Sequence, residues 1–200
     1  MLAPPWGYFF FVAVALRPAT SGRHPLAGVA PRESFAPMDI RLTPITPADR
    51  QPMLDLFNYY VRHGFAAFPE QPLPLTFIDR LLDLAKGYPA LAAKDPAGRL
   101  LGFGLLRAHN PLPTFAHTAE ITCFLAPDHT RQGLGTRLLQ TLEAGAREKG
   151  IRTILAGISS LNEGSLAFHR KHGFVEVGCF RQVCCKDATV FDVIWMQKIL

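Results

Sequence analysis

The stretch APDHTRQGLGTRLLQTLEAGAREKG, residues 126–150, decides the fold of this 200-residue chain. Its first residues end a strand-like segment at a proline, and two glycines, Gly133 and Gly135, then lead into leucines at helical spacing. Gly150 ends the pattern, as is typical of the residue that follows a helix. The stretch therefore predicts a loop that turns into one long helix over 133–149.

The start of this helix has the features of an anion site. A helix N-terminus presents unpaired N–H groups and the positive end of the helix dipole, and glycines allow a ligand to approach the backbone closely. Arg131 and Arg137 add positive charge on either side of the glycines. Such a turn is typical of phosphate and pyrophosphate sites. A flexible turn before a helix is the plain alternative for this stretch taken alone.

Two common phosphate motifs do not fit the stretch. A P-loop needs a lysine followed by Ser or Thr directly after its last glycine, and GLGTR, residues 133–137, contains no lysine. A dinucleotide-binding fingerprint needs a third glycine at the position of Leu138. An anion site in this stretch would therefore belong to another class.

Outside the stretch, hydrophobic patterns and turn residues alternate between strand and helix. Apolar residues at helical spacing predict helices that end at glycines, and apolar runs bounded by turn residues predict strands. The β–α–β segment from 117 to 157 is expected to form a right-handed parallel crossover. The predicted fold class is α/β, a mixed sheet of about seven strands with helices on both faces, in the order βααβββαβαββ.

The first 37 residues differ from the rest in composition. They are rich in Pro, Ala and Gly, and their one apolar run, 6–16, is at roughly 11 residues too short to span a bilayer. A signal peptide requires a positively charged segment before its apolar run, and no Lys or Arg precedes this one. We expect 1–37 to be a disordered extension or a mis-assigned start, and 38–200 to be one domain that begins at Met38.

Charge and cysteine content narrow the class of protein. The formal net charge is +5, but Lys and Arg are scattered, whereas nucleic-acid binders concentrate them in stripes. Cys123, Cys179, Cys184 and Cys185 form no CxxC pair or zinc spacing, and the histidines form no recognised metal motif. We therefore expect reduced thiols in a cytoplasmic protein without a metal, a nucleic-acid partner or a membrane partner.

Four segments resemble, in order, those of the GNAT superfamily of acyl-CoA-dependent N-acetyltransferases, and within it the phosphinothricin acetyltransferase type. The resemblance covers about residues 39–198 and departs from the family's loop motif at Thr130, where Gln or Arg is usual. The segments are LFNYYVRHGFAAFPEQP (56–72), HTAEITCFLAPDHTRQGLG (117–135), LNEGSLAFHRKHGF (161–174) and FRQVCCKDATVFDVIWMQK (180–198).

The resemblance implies that acetyl-CoA is the co-substrate. Its diphosphate is expected at the backbone amides where the loop meets the helix, and its pantetheine along the end of the preceding strand, which also offers an N–H to the oxyanion. Asn162 is expected to bond the pantetheine arm, although its spacing equally predicts a helix N-cap. The expected cofactor-binding residues are Cys123, Phe124, Leu125, Arg131, Gln132, Gly133, Gly135, Thr136 and Asn162.

Two residues are candidates for catalysis. An amine is mostly protonated at pH 7, so the reaction needs a proton acceptor. Glu120 matches the base of the related enzymes and lies between residues that read as core, which favours it as an acceptor; a structural salt bridge is the alternative. His169 matches a residue that protonates the leaving thiolate. It is otherwise a helper of Glu120 through water, or a surface histidine.

The resemblance implies that the acceptor is a small amine, an amino acid or an amino-acid analogue, and we expect Tyr60 and Phe68 to be pocket walls. Asn110 and Leu112 stand where the phosphinothricin enzymes have Lys and Arg, and Phe115 stands in place of a Tyr. Two positive partners for a phosphinate are thus missing, so we expect a less anionic or more apolar amine.

Other readings remain open at the level of sequence. One is a non-catalytic acyl-CoA-binding module, and another is an enzyme that acetylates proteins or peptides. Relatives are commonly homodimers, and a homodimer is expected here, with the apolar final segment VFDVIWMQKIL, residues 190–200, as a candidate contact.

Overall fold

The structure is a computed structural model, and it describes residues 39–200. The predicted extension 1–37 and the predicted domain start at Met38 lie outside the described residues. The strands are β1 (Arg41–Pro44), β2 (Ala90–Lys94), β3 (Leu100–Ala108), β4 (Thr118–Leu125), β5 (Thr153–Ser159), β6 (Val175–Lys186) and β7 (Thr189–Ile199), and the α-helices are α1 (Arg50–Arg62), α2 (Leu75–Leu84), α3 (Leu134–Glu148) and α4 (Glu163–Lys171).

The described strands form one seven-stranded sheet in the order β1-β2-β3-β4-β5-β7-β6. β4 and β5 are parallel, and the other neighbouring strands are antiparallel. The predicted element order, the mixed sheet and the parallel crossover through α3 are therefore confirmed. The long helix begins at Leu134, one residue later than predicted, because Gly133 takes the N-cap position.

Helices cover both faces of the sheet, and β4 has core contacts on each. On one face Phe124 packs into the cluster formed by α1 and α2, with its ring centroid 5.1 Å from that of Phe57. On the opposite face Cys123 and Leu125 pack against the start of α3 at Leu134. Successive side chains of a strand point to opposite faces, so Glu120 lies on the α1/α2 face together with Phe124.

β4 and β5 separate part-way along their length. They pair from Thr118 opposite Thr153 to Glu120 opposite Leu155, and no pairing between them continues beyond that point in the described sheet. β5 nevertheless continues its pairing with β7 as far as Ser159. A cleft therefore opens between the C-terminal ends of β4 and β5, next to the N-terminus of α3.

The final strand β7 lies inside the sheet, between β5 and β6. The edge strand on this side is β6, and the expected dimer contact of the final segment stays a prediction. Among the helices in residues 39–200, none is both long and apolar enough to cross a membrane.

Candidate active site

The N-terminus of α3 forms one end of the cleft. Its N-cap, Gly133, has a φ of 82°, in the left-handed region that favours glycine. The first intrahelical bond runs from the Arg137 amide to the Gly133 carbonyl at 3.0 Å. The N–H groups of Leu134, Gly135 and Thr136 therefore have no acceptor within the helix. This end of α3 thus presents free donors at Gly135 and Thr136, and also at Leu134, which was not among the predicted residues; the binding of a cofactor by these amides stays a prediction.

The preceding loop has the backbone geometry of an anion-binding turn. Arg131, an exposed residue, has a φ of 60°, and the left-handed Gly133 follows two residues later. Backbone turns that alternate in this way direct successive N–H groups into one concavity. Thr130 donates from Oγ1 to the Pro127 carbonyl at 2.9 Å, and Gln132 donates from Nε2 to the Asp128 carbonyl at 2.9 Å. These side chains brace the loop and leave its amides available.

Gly135 has a different local role from Gly133. A Cβ atom at Gly135 would lie 3.3 Å from Leu125 Cδ1 and 3.3 Å from Phe168 Cε2. Such contacts are tight, so glycine here permits α3 to pack closely against β4 and α4. Gly133 has no atom within 4 Å of the same constructed position, because it faces open space at the helix terminus.

The backbone of β4 is partly free along the cleft. The Ala126 amide donates to the Leu101 carbonyl at 2.8 Å, and the register pairs Phe124 with Phe103. Hydrogen-bonding direction alternates along an antiparallel strand, so the peptide groups of Phe124 face β3 while those of Cys123 and Leu125 face the cleft. The three predicted residues thus differ: Cys123 offers free backbone groups, Leu125 offers its N–H while its carbonyl accepts from the Tyr60 hydroxyl, and Phe124 contributes to the core.

Glu120 sits at the start of the cleft in a buried cluster of charged and polar groups. One carboxylate oxygen, Oε2, accepts a hydrogen bond from Arg107 Nη2, and the other, Oε1, lies 2.7 Å from His109 Nδ1. The Glu120 side chain is 8% exposed and that of Arg107 is 10% exposed. Burial lowers the pKa of Arg107 from its ordinary value, while the charge and hydrogen bond of Glu120 raise it. A buried ion pair is the contact expected if Glu120 forms a structural salt bridge. The role of Glu120 as a general base stays a prediction.

His169 is fully buried on the other face of the sheet, beside Phe168 and Phe174. The alternative of a surface histidine is therefore wrong. Its Nδ1 lies 2.8 Å from the Ser165 carbonyl oxygen. A carbonyl oxygen only accepts, so Nδ1 carries the proton and Nε2 of the neutral ring is an acceptor. Burial lowers the pKa of His169 to about 4.

The protonation of His169 limits what it can do. At pH 7 a ring with this pKa is neutral and has no proton on Nε2 to give to a thiolate. The Nε2 atom is buried and has no hydrogen-bond partner in residues 39–200. The geometry thus fits an acceptor of one hydrogen bond from a ligand. The structure does not bring His169 into contact with Glu120, because the two lie on opposite faces of the sheet.

Aromatic rings line the α1/α2 side of the cleft. Phe191 of β7 lies 5.4 Å from Phe65 and 5.9 Å from Phe68 between ring centroids. Trp195, four residues further along β7, has its ring centroid 6.3 Å from that of His109. Phe68 is therefore part of this aromatic group. Tyr60 is 2% exposed and donates from its hydroxyl to the Leu125 carbonyl at 2.7 Å. It therefore links α1 to the end of β4.

This fold is that of a known family. The profile of the Acetyltransferase (GNAT) family matches residues 53–174, more than half of the chain. The chain belongs to the GNAT acetyltransferase family. It is an N-acetyltransferase, and the predicted resemblance, including its phosphinothricin acetyltransferase-like character, is confirmed.

Named relatives of this GNAT domain act on small amino-acid analogues. An L-methionine sulfoximine/L-methionine sulfone acetyltransferase of Pseudomonas paraeruginosa is 34% identical over 152 residues, which is 75% of this chain and 88% of the relative. A phosphinothricin N-acetyltransferase of Streptomyces coelicolor is 28% identical over 166 residues, 81% of this chain and 97% of the relative. The crystal structure of a phosphinothricin acetyltransferase from Sinorhizobium meliloti in complex with acetyl-CoA has a TM-score of 0.76 and 25% identity, and the match covers 82% of this chain and 89% of that one.

Asn162 supplies an independent test of whether this GNAT domain fits a CoA thioester. Its Oδ1 accepts from the Ser165 amide at 3.1 Å and so caps α4. Its Nδ2 is buried without a hydrogen-bond partner in the described part of the chain. A buried donor without a partner costs free energy unless a ligand satisfies it. The cap and the ligand contact, which the sequence left as alternatives, are therefore compatible in one side chain, and the site fits an amide-rich ligand.

Arg107 and His109 were not among the site residues predicted from the sequence. Arg107 lies near the end of β3 and His109 follows directly after that strand, and nothing in their local pattern distinguishes them from other polar residues at a strand end. The register that pairs Arg107 directly with Glu120 is what brings them to the carboxylate.

No group of three or more His, Cys, Asp or Glu side chains is arranged to hold a metal ion within residues 39–200.

Proposed function

We propose that this protein transfers the acetyl group of acetyl-CoA to the amino group of a small molecule, an amino acid or an amino-acid analogue. The observation that carries this proposal is the cleft where β4 and β5 separate beyond Glu120 and Leu155. One strand of that cleft has free backbone groups, and the free N–H groups of α3 lie at its end. A CoA thioester has the two matching parts, a chain of amides and a diphosphate.

The expected contacts of acetyl-CoA follow the free donors and acceptors of the cleft. The diphosphate binds the loop and helix amides from Arg131 to Thr136, because these amides and the helix dipole favour negative charge. The pantetheine runs along Cys123 and Leu125 as an added half-strand, and Asn162 Nδ2 donates to one of its carbonyls. An N–H of the same strand end stabilises the oxyanion of the tetrahedral intermediate.

Proton removal from the amine is proposed to depend on Glu120, the general base that the resemblance implies. Glu120 lies on the last β4 residue that pairs with β5, so it borders the place where the thioester has to lie. Arg107 forms a buried ion pair with it and donates a hydrogen bond to Oε2. His169 is proposed to accept a hydrogen bond at Nε2 from the bound coenzyme, since its neutral ring offers an acceptor there.

The acceptor is proposed to carry an apolar side chain. The rings of Phe65, Phe68 and Phe191 form an apolar group on the acceptor side of the cleft. The named relatives acetylate methionine sulfoximine, methionine sulfone and phosphinothricin. Leu112 is exposed where the resemblance implies a positive residue, so a strongly anionic acceptor such as phosphinothricin is expected to be poor.

Thiol release measures this function directly. The protein is incubated with acetyl-CoA and a panel of amines, including amino acids, methionine sulfoximine, methionine sulfone, phosphinothricin, polyamines and peptides, and free CoA is followed with a thiol reagent. We expect release with amino-acid-type amines and little with phosphinothricin. Calorimetric binding of acetyl-CoA without release for any amine would instead indicate a non-catalytic acyl-CoA-binding module, and release with peptides alone would indicate a protein acetyltransferase.

The protein is further proposed to be a cytoplasmic homodimer that assembles through β6. This strand is 12 residues long, lies at the edge of the described sheet and exposes apolar side chains, with Phe180 53% and Val183 58% exposed. An apolar edge strand of this length favours pairing with a second copy.

The cysteines are free thiols, which supports a reducing compartment.

A further inference from the structure

His109 makes the second polar contact to Glu120, and this contact determines the state of its ring. An ionised carboxylate only accepts hydrogen bonds, so His109 Nδ1, 2.7 Å from Glu120 Oε1, carries the proton. In the neutral ring the lone pair then lies on Nε2, on the side away from Glu120. Within residues 39–200 this nitrogen has no hydrogen-bond partner. The carboxylate therefore orients an imidazole whose basic nitrogen is free.

The imidazole lies over the opening of the cleft. Its ring packs edge-on against Trp195, with centroids 6.3 Å apart, and against Phe115, with centroids 5.8 Å apart. Trp195 pairs with Gly157 of β5, two residues beyond the last β5 residue that pairs with β4. The imidazole of His109 thus follows the end of β3, contacts Glu120 of β4, and packs against Trp195 of β7, beyond the point where β4 and β5 separate.

Access to the cleft differs between the two groups. The side chain of His109 is 30% exposed and that of Glu120 is 8% exposed. Both oxygens of Glu120 already have partners, Arg107 at one and His109 at the other. Arg107 is the charged group in contact with the carboxylate, and the rings of Phe115 and Trp195 add no charge. An amine entering from solvent therefore meets the imidazole before it meets the carboxylate.

We infer that His109, oriented by Glu120, is the group that takes the proton from the acceptor amine, so that Glu120 is a positioning residue that acts through it. This inference rests on the proposed function and deepens it. An N–H bond of the ammonium breaks and its proton moves to Nε2. The freed electron pair forms the C–N bond to the acetyl carbon and gives the tetrahedral intermediate. The C–S bond breaks as the carbonyl re-forms, a second proton of the nitrogen passes to the thiolate sulfur, and the imidazolium returns its proton to solvent.

The substitution His109→Asn tests this role while preserving the contact to Glu120. The asparagine amide can still donate to the carboxylate from about the position of Nδ1, but it has no basic nitrogen. His117→Asn is the matched control, because His117 is an exposed histidine whose Nδ1 lies 3.0 Å from the Gly150 carbonyl oxygen, away from the cleft. Each protein is measured for thermal unfolding, for acetyl-CoA binding by calorimetry, and for kcat and KM of the best amine across pH 6–9, with and without added imidazole.

We expect His109→Asn to lower kcat about 10²-fold or more, the usual contribution of a general base. Acetyl-CoA affinity should stay unchanged, the loss of rate should be largest at the low end of the pH range, where the amine is most protonated, and added imidazole should restore part of the rate in this variant alone. A wild-type rate and pH profile in His109→Asn would overturn the inference and leave the proposed function standing. Failure of the wild-type protein itself to release CoA with any amine would overturn both.

Discussion

Lys186, the last residue of β6, donates from Nζ to the carbonyl oxygen of Val61 at 2.7 Å. The same ammonium also donates to the carbonyls of Gly64 at 2.7 Å and Ala67 at 2.9 Å. It is 1% exposed, and burial lowers its pKa from the ordinary value. One side chain thus ties the end of the sheet to the segment after α1, which carries Phe65 of the aromatic group beside the cleft.

Replacement of this ammonium is expected to loosen the fold and the acceptor pocket together. In Lys186→Met three carbonyls lose their donor, and we expect the free energy of unfolding to fall by about 2–4 kcal/mol. KM for the amine should rise more than KM for acetyl-CoA. Urea unfolding and steady-state kinetics measure both. Lys86→Met, at a side chain that is 79% exposed, is the control and should change neither.

Loss of the Glu120 carboxylate is expected to impair chemistry more than binding. Glu120→Gln should lower kcat about 10²-fold or more and barely change the calorimetric affinity for acetyl-CoA. The control is Glu143→Gln, which removes another buried carboxylate, bound to Lys198 at 2.6 Å on α3. That variant should lose stability but keep its kcat. Unaltered turnover of Glu120→Gln between pH 6 and pH 9 would remove Glu120 from the mechanism.

The buried neutral ring of His169 should make the fold sensitive to acid. The pKa of His169 is about 4 in the folded protein against 6.5 for the ordinary value. Between these pH values the unfolded state binds more protons, so the free energy of unfolding falls as the pH is lowered, by about 3 kcal/mol over the window. His169→Asn should lose less stability than the wild type between pH 7 and pH 4.5 in urea titrations, and His117→Asn should behave as the wild type does.

The left-handed glycine at the start of α3 is expected to matter for ligand affinity as well as for folding. Gly133→Ala forces a Cβ into a backbone with φ 82°, which costs about 1–2 kcal/mol. Gly150→Ala at the other end of α3, with φ 74°, is matched in strain and should cost about the same. Acetyl-CoA affinity by calorimetry should weaken only for Gly133→Ala. An equal loss of affinity in both variants would contradict an anion site at this terminus.

The exposed edge strand makes the proposed assembly testable. Light scattering during size-exclusion chromatography should report a dimer for the wild type and a monomer for Phe180→Asp. Leu84→Asp on α2, at a residue that is 47% exposed, introduces the same charge elsewhere and should leave the dimer intact. A monomeric wild-type protein would exclude β6 as a self-association surface.

Some of the candidate site could be predicted because it depends on local sequence. The glycine at 133 and the leucines after it specify a loop and a helix start within a few residues of chain, so the anion site follows from short-range geometry. Asn162 likewise precedes α4 at capping distance. Glu120 could be placed on a strand of the core for the same reason, since its apolar neighbours indicate burial.

Other features of the site depend on contacts between distant segments. Nine residues, 109–117, connect β3 to β4, and a loop of this length does not specify a register as a two-residue hairpin turn does. The register decides that Arg107 and His109 meet Glu120, because a shift by one residue would move every side chain to the other face. Only the folded sheet shows this contact.

The sequence by itself determined the order of strands and helices, the parallel crossover and the loop at the start of α3, since each depends on periodicity and turn chemistry over neighbouring residues. The tertiary structure alone decided that β7 lies inside the sheet, that His169 and Glu120 occupy opposite faces, and that Lys186 binds a segment 125 residues away at Val61. The physical reason is that strand order and packing depend on the burial of all apolar surfaces at once, which no local stretch encodes.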